Sequence, residues 1–244
     1  MNKPLDQAIL EQIAAYDVPT ISNAIEFFAV RPKTEGFMGP QIRSILNTGK
    51  TVVGYASTAR MSATLPPTEG QKALLKQHYR AVHDTAKPTL ALIQDTDRRP
   101  KGSLWGEVHA TVHMALGCVA TITNGGVRDL DEVRAIGFDY FATCTLVSHA
   151  NVHLEDVACP VMIGGLVVHP GDLLAADHHG VVLIPAEVAA RLPAACEHAQ
   201  NAELAVLQPC REHIKAGKLV DPEELAAWRA EMVRLRGSFV SPAG

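Results

Sequence analysis

Cys118-Val119-Ala120-Thr121-Ile122-Thr123-Asn124-Gly125-Gly126-Val127-Arg128-Asp129 is the stretch on which the fold turns. Its first half is apolar and β-branched over the length of a buried strand. Asn124-Gly125-Gly126 reads as a turn, and residues 129–136 resume helical spacing before a stop at Gly137. Just upstream, residues 106–116 read as a helix broken by Gly117. Helix, strand, glycine turn and helix in succession are the makings of β-α-β architecture.

Working outward toward the N-terminus, residues 89–94 form an apolar run of strand length, 71–83 are helical and 51–61 are β-rich. Residues 95–106 are a polar loop punctuated by Pro and Gly. Residues 31–50 carry Pro32, Gly36, Gly39, Pro40 and Gly49 and read as a loop or arm. Leu5, Ile9, Ile13 and Ala14 fall at helical spacing, and a second helix is expected near residues 20–23, just after Pro19. Toward the C-terminus come short β runs at 140–143, Val161–Ile163, Leu166–Val168 and 181–184, separated by Gly164-Gly165 and Pro170-Gly171. From Pro185 onward the chain is helical, with a break expected near Pro209 and Gly217. This mixture predicts a layered α/β fold. Residues 1–244 are read as one domain, with N-terminal helices and arm over 1–50 and a helical extension over 186–244. The extension has few large apolar residues, which suits packing on a neighbouring subunit better than forming a core.

Composition narrows the function. With 47% hydrophobic and 20% charged residues the chain is globular, and a net charge of -4 gives no electrostatic reason to expect nucleic acid, which usually demands a basic face. Five cysteines without a Cys-x-x-Cys pair suggest neither a disulfide framework nor a thiolate zinc site. Met-Asn-Lys-Pro-Leu-Asp-Gln lacks the pattern of an export signal, and no stretch reaches the roughly 20 apolar residues of a membrane span. A cytoplasmic protein that binds no membrane is expected.

The chemistry concentrates at Arg128-Asp129. The Arg128 guanidinium can hydrogen-bond an oxo group or carboxylate, and Asp129 can hold Mg2+ or Mn2+ directly or through waters. The plainer alternative is a helix-start aspartate, favoured by the dipole, beside a salt-bridging arginine. Trp105-Gly106-Glu107 tips the balance, because twenty residues, 108 to 127, separate Glu107 from Arg128. One α-β unit between them would return both ends to the same sheet edge, with Glu107 facing Asp129 across a small cleft. The N–H groups of Glu107, Val108 and His109 could then cradle a substrate carboxylate. Gly125 and Gly126 would let the backbone turn tightly against a ligand.

Gly106-Glu107, the twenty-residue gap and Gly125-Gly126-Val127-Arg128-Asp129 resemble the signature of the RraA-like superfamily. That superfamily contains divalent-metal 4-hydroxy-4-methyl-2-oxoglutarate/4-carboxy-4-hydroxy-2-oxoadipate aldolases and the regulator of ribonuclease E activity. Gly164-Gly165, Pro170-Gly171-Asp172 and Ala176-Asp177-His178-His179-Gly180-Val181 extend the resemblance. It implies a layered β/β/α fold of swivelling-domain type, assembled as homotrimers or homohexamers with sites between subunits. It also implies a metal-dependent lyase with Mg2+ or Mn2+ on Asp129. A 2-oxo acid would bind at Gly106, Glu107, Val108, His109 and Arg128, with Arg128, Glu107 and Asp129 as catalytic residues. The reaction would be retro-aldol cleavage of a 4-hydroxy-2-oxo acid releasing pyruvate, or decarboxylation of oxaloacetate. The aldolases usually have aspartate where this chain has Glu107, so the charge is kept on a longer side chain. The regulators tend to lack an acidic residue there, which favours an enzyme over a non-catalytic, protein-binding regulator. The aldolases also resemble one another in an acidic residue donated by the adjacent subunit, for which Glu212 is the candidate.

Eleven histidines raise the question of zinc, yet neither His109/His113 nor His149/His153 carries the Glu of His-Glu-x-x-His. The His109 side chain is expected to be a pocket wall or to face solvent. Ser148-His149 lacks a nucleophile elbow, and His178-His179-Gly180 reads as a β-turn capped by Asp177. Neither Gly-x-x-x-x-Gly-Lys nor Gly-x-Gly-x-x-Gly occurs, so nucleotide binding has no support.

Overall fold

The computed structural model describes residues 3–240. The chain opens with α1 (Gln7–Ala14) and α2 (Val18–Ile25). Pro19 sits in the first turn of α2, where a missing N–H is harmless, and Asp17 caps that helix by accepting from the Thr20 N–H. After an extended strap come β1 (Arg43–Leu46) and the long β2 (Val52–Ser62), then α3 (Glu69–Asp84), which starts on a Thr68/Gln71 capping box. Next are β3 (Thr89–Asp95), α4 (Glu107–Ala115), β4 (Cys118–Thr123), β5 (Gly126–Val127), α5 (Leu130–Ile136) and β6 (Asp139–Ala142). The strands β7 (Cys144–Thr145), β8 (His153–Val157), β9 (Val161–Ile163), β10 (Leu166–Val168), β11 (Leu173–Asp177) and β12 (Gly180–Ile184) follow. The helices α6 (Ala186–Ala189), α7 (Leu192–Lys215) and α8 (Pro222–Gly237) come last.

The main sheet has the order β1-β6-β4-β3-β2-β11-β12, with β8 paired to the second half of β2. Its middle, β2, β3, β4 and β6, is parallel. On β3, Ala91 and Ile93 face Val82, Ala110 and Val133 of the helices α3, α4 and α5. Leu90 and Leu92 face the other way, onto Val161, Ile163 and Val168 of the β9–β10 hairpin. Burial on both faces explains why 89–94 is an unbroken apolar run and not an alternating one. A third cluster joins α1, α2 and the first half of α7 to β11, β12 and the start of β2. Helices, main sheet and a small second β layer make up the layered β/β/α arrangement.

The 31–50 arm is more ordered than its Pro and Gly content suggests. Leu183 N–H bonds to the Gly36 carbonyl and Met38 N–H to the Val181 carbonyl, so the strap pairs with the outer edge of β12. Gly39 N–H then reaches the Gly164 carbonyl over the β9–β10 hairpin, and by Arg43 the chain has become β1 against β6. One segment thus attends to both edges of the main sheet, where unpaired backbone groups would otherwise stand open.

Two further departures concern the C-terminal half. The chain forms β8 and β11 where no strand was expected. Helix α7 passes through Pro209 without a break and ends at Lys215, ahead of Gly217. A proline there removes the bond to one carbonyl, and α8 packs along α7 to hold the helix through it. The extension also packs on its own chain. Leu192, Ala195 and Cys196 are buried against the N-terminal helices, His198 bonds to the Leu235 carbonyl, and the Phe239 ring meets Phe27 and Phe28. The outer end of the α7–α8 hairpin leaves Ile214 and Leu219 exposed, and Val233 is exposed farther back along α8. Among the described residues no helix is long and apolar enough to cross a membrane.

Candidate active site at the Arg128–Asp129 turn

Parallel pairing sets the carboxyl ends of β3 and β4 side by side. Asn124 locks them together: its Oδ1 accepts the Asp95 N–H at 2.7 Å and its Nδ2 donates to the Asp95 carbonyl at 2.8 Å. The two glycines that follow do not supply a left-handed turn, since neither has positive φ. They supply closeness. A Cβ at Gly126 would lie 2.5 Å from Leu146 Cγ, and one at Gly125 would lie 3.1 Å from Asp95 Oδ2. The left-handed residue is Asp129 itself, at φ 55° and ψ 48°. Aspartate tolerates that region better than most side chains, at a cost that the surrounding structure must cover.

What holds Asp129 there is the 103–106 loop. Ser103 Oγ lies 2.7 Å from both the Trp105 and Gly126 carbonyls, and Arg128 N–H donates to the Trp105 carbonyl at 3.0 Å. These bonds bring the Asp129 carboxylate to the start of α4, where its Oδ2 accepts the Glu107 N–H at 3.0 Å. The N-cap of α4 is Gly106, which has no side chain to satisfy that donor. Asp129 does so from across the turn and fills the space a side chain would need: a Cβ at Gly106 would stand 2.3 Å from Asp129 Oδ2. Arg128 Nε lies 3.8 Å from the same oxygen, and both side chains are about one-third exposed, at 34% and 36%.

Two sequence expectations need correction here. The Glu107 N–H is not free for a substrate, because Asp129 occupies it; Val108 and His109 keep first-turn N–H groups without an intrahelical acceptor. The His109 side chain, expected as a pocket wall or facing solvent, meets solvent only in part. Its ring turns inward, 6.0 Å from His113, with Nδ1 buried and unpartnered among the described residues. Burial pushes its pKa down. Glu107 is exposed beside Asp129, and Glu212 is exposed in the last turn of α7.

Beneath the turn lies an aromatic floor. Trp105 is fully buried, with ring centroids 4.6 Å from His113, 6.0 Å from Phe138 and 6.5 Å from Tyr140. The Tyr140 hydroxyl is buried without a partner among the described residues. Burial, then the Asp129 charge, raise its pKa, against the opposing effect of Arg128. Sequence reasoning passed over His78. Its Nε2 lies 2.8 Å from His113 Nε2, and both rings are buried. His113 Nδ1 donates to the His109 carbonyl at 2.7 Å, so its Nε2 is the acceptor and His78 the donor. Asp95 was also passed over: burial pushes its carboxyl up to about 6, and its Oδ2 has no partner among the described residues. His149 and His153 turn Nδ1 to the Ala150 and Asn151 carbonyls, and Asp177 caps the His178-His179 turn by accepting the His179 N–H at 2.7 Å.

A β/β/α layered sheet with an Arg-Asp turn lodged against a glycine-capped helix start defines a known class. The family model described as RraA-like, Aldolase/RraA, matches residues 18–183, and the chain belongs to that family. Protein DlpA of Legionella pneumophila is 25% identical over 142 residues, which cover 57% of this chain and 22% of that protein. A Halalkalibacterium halodurans protein provisionally named 4-hydroxy-4-methyl-2-oxoglutarate aldolase is 26% identical over 141 residues, covering 57% of this chain and 62% of that one. The chain thus spans less than two thirds of the length of either relative. Among solved structures, a Pseudomonas syringae protein superposes with a TM-score of 0.69 at 22% identity, over 93% of this chain and 95% of that one. Streptomyces coelicolor RraAS2, described as an unusual member of the RNase ES inhibitor RraA family, gives 0.66 at 18%, over 85% and 100%. At these identities the structural likenesses speak for the fold.

Proposed function

We propose that this protein is a divalent-metal-dependent carbon–carbon lyase acting on a 2-oxo acid, by retro-aldol cleavage of a 4-hydroxy-2-oxo acid or by decarboxylation of oxaloacetate. The observation that carries the reading is the Asp129 carboxylate held over Gly106, one oxygen on the Glu107 N–H and Arg128 alongside. The relative named as an aldolase supports it at the level of the family.

The residues fit a hard cation. Asp129 Oδ1 accepts no hydrogen bond among the described residues, and Glu107, whose backbone N–H meets the other oxygen, is exposed and carries a second carboxylate. Asp129 would hold Mg2+ or Mn2+, with Glu107 acting through water. When bound, the cation supplies Lewis acidity against the negative charge that develops on the 2-oxo oxygen. Arg128 hydrogen-bonds the same oxygen, and the Val108 and His109 N–H groups receive the substrate carboxylate at the positive end of α4. For the aldol substrate, Glu107 takes the 4-hydroxyl proton through a water as the C3–C4 bond breaks. The bond's electron pair passes into the pyruvate enolate, which is then protonated at C3.

The test is pyruvate formation by purified protein from oxaloacetate and from 4-hydroxy-4-methyl-2-oxoglutarate, with Mg2+ or Mn2+ added. Arg128→Ala is expected to lower kcat/KM by about 100- to 1,000-fold with Tm unchanged. No pyruvate with either metal would overturn the reading and leave the protein-binding regulator in its place.

A further inference from the structure

We propose that the β11–β12 hairpin carries a separate cation site, for a borderline transition metal such as Zn2+, Ni2+ or Co2+, formed by Asp177, His178 and His179. Pairing of Ala176 with Val52 puts this turn at the amino end of β2, whereas Arg128 and Asp129 lie beyond the carboxyl ends of the parallel strands β3 and β4. One ligand-capable atom from each of the three residues lies within 4.8 Å of the other two. Both imidazoles are exposed, so side-chain rotation alone can bring them in to the roughly 2 Å of a metal–nitrogen bond.

The carboxylate is already fixed. The Asp177 side chain is 3% exposed, with Oδ2 accepting the Val18 N–H at 2.9 Å and Oδ1 the His179 N–H at 2.7 Å. Capping of two backbone groups accounts for the aspartate, but it leaves the charge unneutralised. Among the described residues its ion-pair partner is the His179 ring at 3.2 Å, which is cationic only when protonated, and no Lys or Arg stands within 4.0 Å. Nor does capping account for two adjacent histidines whose ring centroids are 3.8 Å apart. Two imidazolium charges at that spacing repel, whereas two ring lone pairs can converge on one cation.

A cleft of about 480 Å3 opens beside the turn, lined in part by Glu11, Tyr16, Asp17, Lys50 and His178. Burial alone would raise the Asp17 carboxyl, but hydrogen bonds from Thr20 and the His179 and His178 rings outweigh it and hold that carboxyl below its ordinary value. The acidic pair Glu11 and Asp17 outnumbers the single cation Lys50, and the cleft has room for the waters that complete a coordination shell. Two nitrogens and one oxygen suit borderline metals, whereas Mg2+ favours oxygen throughout.

The experiment titrates full-length protein with Co2+ in excess Mg2+, read by calorimetry and by the visible absorption of bound Co2+. One Co2+ per chain that Mg2+ does not displace is expected, with affinity weakened by about tenfold or more in His178→Gln/His179→Gln. Should the double variant lose its fold, His178→Gln alone carries the same test. Unchanged Co2+ affinity in the folded variants, or no Co2+ binding that survives Mg2+, would overturn the proposal.

Discussion

Asp129 works for two elements at once. It starts α5 from a left-handed conformation, and its carboxylate completes the first turn of α4 in place of the side chain Gly106 lacks. Gly106→Ala therefore forces the carboxylate away, because the new methyl would lie 2.3 Å from Oδ2. The expected result is a loss of about 100-fold in kcat/KM for pyruvate formation, from misplacement of the reacting groups, with a far smaller change in melting temperature. Full activity in this variant would show that the Asp129 position is irrelevant to turnover. The charges of this site were legible in the sequence, since Glu107, Arg128 and Asp129 stand at a fixed spacing around one predicted α-β unit. The roles of the glycines were not. Gly106, Gly125 and Gly126 are needed for what approaches them from elsewhere in the chain, and a linear reading sees only their backbone freedom.

At the scale of elements, α3 and α4 are joined by two histidines that have no room for charge. Burial is the chief cause that takes His78 down to about 3 and His113 to about 4, against an ordinary value of 6.5. In the unfolded chain both rings take up protons as pH falls below 6.5; in the folded chain they do so only near 4 and 3. The unfolded state thus binds more protons in that window, and stability is lost as pH falls from 6.5 toward 4. At pH 5 the loss should be on the order of 2 kcal/mol for each ring. Urea unfolding at pH 7 and pH 5 checks it, and His78→Leu/His113→Leu should flatten the difference; an equally steep fall in that variant would place the acid lability elsewhere. The pairing could not be read from the sequence, where His113 shows only its i,i+4 relation to His109. Periodicity did reveal α4, β4, α5, β9 and β10. It missed β8, whose His153–Val157 stretch is polar and owes its strand to pairing with β2. It missed β11, where Leu173 and Leu174 are shadowed by the glycine turn before them and the histidine turn after. Pro209 suggested a break that packing against α8 overrules.

At the scale of the whole molecule, two stretches of exposed apolar side chain bear on assembly. Val108 and Val147, 73% and 97% exposed, belong to the segments around the Arg128–Asp129 turn, and Ile214 and Leu219 stand at the outer end of the α7–α8 hairpin. We expect a homotrimer or homohexamer in which the hairpin of one subunit reaches the site of the next, with Glu212 carried along. Sedimentation velocity should show three or six chains, and Ile214→Glu/Leu219→Glu should shift the protein to smaller species. A wild-type monomer would end the idea.

The strap also acts as a ruler. From Phe37, bridged to Val182 at one border of the main sheet, to Arg43, paired with Ala142 at the other, there are six residue steps. Fully extended they reach about 22 Å. Laid flat, the seven strand spacings between those borders would need about 34 Å. The sheet must therefore roll until its two margins come within the tether's length, so the curvature of the molecule is written in the number of residues between Phe37 and Arg43.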